Sequence, residues 1–136
     1  MVVGVDAELE ELSVDDVSQS EDKIVSQWRE VSSAEKRHLR DRVDEIFRPL
    51  GLQARLVVLE RANSLAMFFI CMTLSALMSL RVQWSNGQLK DIVQSLFTFL
   101  SAATRTVRIN RLSWPETDYE RSLTVFTSVP GNRIIL

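Results

Sequence analysis

Histidine and cysteine are almost missing from this chain: His38 and Cys71 are the only ones. One of each cannot build an intramolecular disulfide or a Cys/His zinc site, so most metal and thiol chemistry is excluded at the outset. Glycine is scarce too. Gly4, Gly51, Gly87 and Gly131 stand singly, and without a glycine-rich phosphate loop the sequence argues against nucleotide hydrolysis. Basic residues are absent from the first 22 positions, where eight acids occur, which leaves ten acids against sixteen bases for residues 23–136. The beginning of the chain therefore lacks the positive charge before an apolar run that marks a secretory leader, and the expected compartment is cytoplasm or nucleus. The lone Cys71 inside an apolar stretch agrees with reducing surroundings.

What is present is enough for a fold. The chain has 136 residues, 46% hydrophobic and 25% charged, which suits one globular domain with a modest core. Residues 1–22, with Asp6, Glu8, Glu10, Glu11, Asp15, Asp16, Glu21 and Asp22, read as a disordered acidic arm ahead of a mildly basic body. A single domain is expected over 23–129, and 130–136 reads as a tail.

Periodicity supplies the elements. Ile24, Val25, Trp28 and Val31 fall at helical spacing after an acidic first turn. Ser32-x-x-Glu35 has the pattern of a capping box, and Leu39, Val43, Ile46, Phe47 and Leu50 continue as an apolar stripe until Pro49 and Gly51. Leu52–Leu59 reads as a strand. Leu65–Thr73, uncharged throughout, reads as a central strand paired with it and covered on both faces. A helix restarts near Leu74. Ser85-x-x-Gln88 resembles a second capping box, opening a helix whose Leu89, Ile92, Val93, Leu96, Phe97 and Leu100 form one stripe. Arg105–Arg111 alternates as a half-exposed strand, and Pro115 opens a last helix with Tyr119, Leu123 and Phe126 inward. The predicted class is α+β: a small, mainly antiparallel sheet with helices packed on it, preceded by the acidic arm, with room for a further strand that the pattern does not locate. A competing reading takes the uncharged run 62–80 as a membrane span, since about 20 apolar residues can cross a bilayer.

Few residues offer chemistry. Asp15/Asp16 and Asp44/Glu45 are paired carboxylates on charged, solvated segments, poor settings for acid–base work. Cys71 has no neighbouring cation to activate it and reads as a small core hydrophobe. The expectation is therefore no catalytic residue, no cofactor and no metal. Interaction features are more numerous. Trp84 and Trp114 fall at element ends, where a large aromatic either anchors an interface or caps the core, and Arg105, Arg108 and Arg111 accompany them as a candidate interface. Those arginines also suggest phosphate contacts, but edge protection and competition from the acidic arm weigh against nucleic acid. Val2, Val3, Val5 and Asp6 have the pattern of a SUMO-interaction motif, in which a short strand adds to a partner's sheet edge. Ile134-Ile135-Leu136 has the spacing of a PDZ ligand. Ser13 and Ser18 precede acids as kinase sites do, and phosphate there deepens the negative charge.

From Trp84-Ser-Asn-Gly-Gln-Leu-Lys90, through the strand at Thr106–Leu112, to Asp118-Tyr-Glu-Arg-Ser-Leu123, the chain resembles the second half of the N-terminal domain of the TRADD adaptors, with Leu65–Thr73 fitting the same order. The resemblance, over 65–128, implies an α/β sandwich that binds signalling proteins. It carries over no contact residue. The functional expectation is a non-enzymatic intracellular protein–protein interaction module, an adaptor or regulatory subunit with a protein partner. A small membrane-anchored protein spanning at 62–80 is the alternative.

Overall fold

The computed structural model describes residues 1–10, 14–31, 37–61, 64–101 and 107–128. Strand β1 (Val2–Leu9) is followed by helices α1 (Val14–Val31) and α2 (Arg37–Ile46), a 3-10 turn at Arg48–Leu50, and strands β2 (Ala54–Arg61) and β3 (Leu65–Cys71). Helices α3 (Leu74–Ser85) and α4 (Gln88–Leu100), strand β4 (Ile109–Ser113) and helix α5 (Glu116–Ser128) complete the order. The four strands make one antiparallel sheet in the order β2-β3-β1-β4. The α+β class expected from periodicity is the one observed.

The acidic arm requires correction. Residues 2–9 form one of the two inner strands of the sheet, paired with β3 through Val2↔Ile70 to Ala7↔Leu65 and, from Asp6 on, with β4 through Asp6↔Ser113 to Leu9↔Ile109. The physical reason is strict alternation. Val3, Val5, Ala7 and Leu9 are buried, while Val2, Gly4, Asp6 and Glu8 face the other way, so the acids never enter the core. Glu21 and Asp22, also assigned to the arm, lie inside α1 and hold Arg61 of β2 at 3.6 and 2.5 Å. The expected tail at 130–136 and the capping box at Ser32–Glu35 lie outside the described residues.

The helices bury their apolar stripes against one face of the sheet. Ile24 and Val25 of α1, Val43 of α2, Leu77 and Leu80 of α3, and Leu89, Val93, Leu96 and Phe97 of α4 join Val5, Leu56, Met67, Phe69 and Leu112 in one core. Each large side chain buried in this way contributes roughly 1.5–3 kcal/mol. Local chemistry sets the breaks between elements. The Thr73 hydroxyl accepts from the Ala76 N–H at 3.0 Å and starts α3. Gly87, at φ 89°, separates α3 from α4, so the second capping box is not formed: Ser85 ends α3, and Asn86 Oδ1 accepts from the Gln88 N–H instead. The run 62–80 is divided between β3 and α3, and among the described residues no helix is long and apolar enough to cross a membrane.

Candidate functional site

The face opposite the helices carries Val2 and Gly4 of β1, Phe68 and Ile70 of β3, and Arg55 and Val58 of β2. Pairing places them in two rows: Arg55, Ile70 and Val2 are cross-strand neighbours, and so are Val58, Phe68 and Gly4. Val2 is 54% and Val58 41% exposed, while Phe68 and Ile70 are half-buried. β3 is thus central, as expected, but covered on one face rather than two. Gly4 has a defined part here: a Cβ at that position would stand 3.3 Å from Phe68 Cε1, so its absence lets the Phe68 ring lie close against β1.

The rim strand β2 bends beside this face. Its register shifts between Leu56 and Val58, so Val57 is an extra residue, and Val57 and Val58 are exposed in succession before Leu59 returns inward. This is a β-bulge. Next to it a groove of about 860 Å3 opens between β2, the end of α1 and α2, with Trp28, Val31, Val43, Phe47 and Leu56 in its lining and Arg40, Arg48, Arg55 and Asp44 around it. Leu52, 92% exposed, stands at its mouth. Sequence reasoning missed this groove. The adjacent valines that break the strand's alternation are the signal that could have found the bulge.

The expected site residues go to other tasks. Trp114 is 2% exposed and Trp84 half-buried, so the pair caps the core where α3 meets the β4–α5 junction. Trp84 Nε1 donates to the Leu112 carbonyl at 2.8 Å, and the Trp84 and Trp114 rings meet edge to face at 6.4 Å. Between them lies the guanidinium of Arg81, 4.1 Å from the Trp84 ring, 5.2 Å from Trp114 and 4.9 Å from Tyr119, donating to the Trp114 carbonyl at 2.6 Å. Trp114 Nε1 has no hydrogen-bond partner among the described residues.

Arg111 is exposed and pairs with Glu8 across the β1–β4 ladder at 3.3 Å, Arg108 is exposed before β4, and Arg105 lies outside the described residues. Arg108 and Arg111 are therefore not part of the tryptophan cluster. Val3 and Val5 are buried on the helix side of β1, which pairs with β3 from Val2 to Ala7 and with β4 only from Asp6 to Leu9, so Val2, Val3, Val5 and Asp6 of the SUMO-interaction pattern form part of the protein's own sheet. Ser13 and the Ile134-Ile135-Leu136 pattern lie outside the described residues, and Ser18 falls within α1.

Two titratable groups are perturbed. Cys71 is fully buried on the inner face of β3, and burial pushes its thiol up to about 11. That value leaves it protonated and inert at neutral pH. Glu21, 6% exposed, is raised above the ordinary carboxylate value by burial, opposed in part by the Arg61 guanidinium. Among the described residues no group of three His, Cys, Asp or Glu side chains could hold a metal ion. No protein-family model, curated protein or solved structure matches the chain.

Proposed function

We propose that this protein is a non-enzymatic protein–protein interaction module, an adaptor or regulatory subunit working in the cytoplasm or nucleus. The observation that supports the reading is the sheet face turned away from α1–α4 and bordered by α5, where Val2, Val58, Phe68 and Ile70 lie together across three neighbouring strands. Grouped apolar side chains on a sheet face lose water when a partner covers them, whereas scattered ones need no explanation. The one thiol, buried and protonated, supports a binding role over nucleophilic chemistry. A signalling role of the kind TRADD adaptors have is the more specific form of this proposal, and it rests on the sequence resemblance over 65–128.

The test compares partner recovery from cell extract on immobilised wild-type protein with recovery on Val2→Asp and Ile70→Asp, and on Val82→Asp as a control on exposed α3 surface. Loss of the same bands in both sheet-face variants, with thermal melts unchanged and the control normal, is the expected result. Equal recovery by all four proteins would refute the use of this face.

A further inference from the structure

β2 lies at the rim of the sheet and, among the described residues, β3 is its one strand partner, so its outer edge presents backbone N–H and C=O groups that no strand pairs. Along that edge two depressions adjoin, sharing Trp28 and Val57: the groove of about 860 Å3 at the Gly51–Leu56 end, and one of about 380 Å3 running to Glu60. An extended chain is the shape such a place selects. It can continue the ladder with its backbone and set alternate side chains on the apolar floor of Val31, Val43 and Phe47.

Charge identifies the occupant. Arg29, Arg40, Arg48 and Arg55 line the two depressions against Asp44 and Glu60, and three of these arginines stand at the Gly51 end. Arg48 and Arg55 are exposed and form no ion pair among the described residues. The bulge at Val57 argues against a second copy of β2 in this position, because it breaks the regular edge that two identical long strands would need. A short segment needs only a few regular residues.

We propose that the β2 edge binds an extended acidic peptide segment of a partner protein, which adds to the sheet as a fifth strand with its carboxylates over Arg48 and Arg55. This rests on the interaction-module reading and names one ligand class for it. Phosphate groups or a lipid surface would meet the same arginines but not the backbone edge.

The test is fluorescence anisotropy of the full chain with a fluorescein-labelled peptide, Val-Ile-Val-Ile-Asp-Glu-Glu-Glu. Three companions accompany it: the same peptide with lysines for its acids, a scrambled version, and one N-methylated at alternate backbone nitrogens. Saturable binding is expected for the acidic peptide, weakened at least about tenfold by N-methylation, by lysine replacement and by the double change Arg48→Glu/Arg55→Glu. Arg48 and Arg55 are solvent-exposed, and an unchanged melt verifies that the double variant folds. Equal binding of the N-methylated peptide would overturn strand addition. Equal binding of the lysine or scrambled peptide would overturn the acidic, extended ligand, and self-association lost in the double variant would assign the edge to a second copy. If no peptide binds while partner recovery still depends on Val2 and Ile70, this inference fails and the broader reading stands.

Discussion

Removing the Arg81 guanidinium tests the account of the tryptophans most directly, because this one group joins α3 to the β4–α5 junction. Its hydrogen bond to the Trp114 carbonyl, at 2.6 Å, is charge-assisted and worth about 1.5–3 kcal/mol. The three rings at 4.1 to 5.2 Å add a cation–π contribution that lies between about 0.5 and 2 kcal/mol, and because Arg81 is only half-buried the lower part of that range applies. Together these place Arg81→Ala about 3 kcal/mol below wild type, or about 10 °C in Tm for a chain of this size. Arg81→Lys keeps a charge over the rings but loses the planar fork, and should recover about half of the deficit. Urea titration followed by far-UV circular dichroism is the suitable assay, since the fluorescence of Trp84 and Trp114 would report the site itself. A loss under about 1 kcal/mol with an unchanged m-value would refute the reasoning and leave the arginine as a surface ornament of the cluster.

Two further outcomes are expected. Val5→Ala removes two methyl groups from a fully buried position of β1 and should cost about 2 kcal/mol in the same titration; no measurable change would return residues 2–9 to the status of a free arm. Burial raises the Cys71 thiol from 9.0 to about 11, so the unfolded chain ionises first as pH rises and the native state loses stability through that window, by up to about 3 kcal/mol at its end. Below pH 9 the contribution is fully present. Urea midpoints of wild type and Cys71→Ala should converge between pH 9 and 11, and parallel profiles would contradict the burial of the thiol.

The helices and the strands β2, β3 and β4 are legible in the sequence; a stripe such as Leu89, Ile92, Val93, Leu96, Phe97 and Leu100 leaves one orientation for the helix that carries it. β1 is not legible as a strand. Its acids, Asp6 and Glu8, sit on the solvent side of an alternation whose inward members include the small Ala7, and dense negative charge around a short pattern resembles disorder when no partner strand is known. The tryptophans are legible as large aromatics at element ends, but their contact with Arg81 joins Trp114 to a residue far from it in sequence, which no local pattern announces. The groove beside β2 combines residues of α1, α2 and β2, and no local pattern announces such a meeting.

The position of β1 has a consequence for how the chain reaches its native state. Of the four strands β1 leaves the ribosome before the others, and its pairing with Ser113 and Leu112 cannot form until β4 has been made. Meanwhile β2 and β3, close in sequence, can pair as a hairpin, leaving Met67 and Phe69 to wait for a neighbour that is already present but not yet held from its other side. Loop closure over such distances is slow compared with local pairing. The later-made β4 thus acts as the latch of the sheet, and with α5 it decides when β1 ceases to be loose chain.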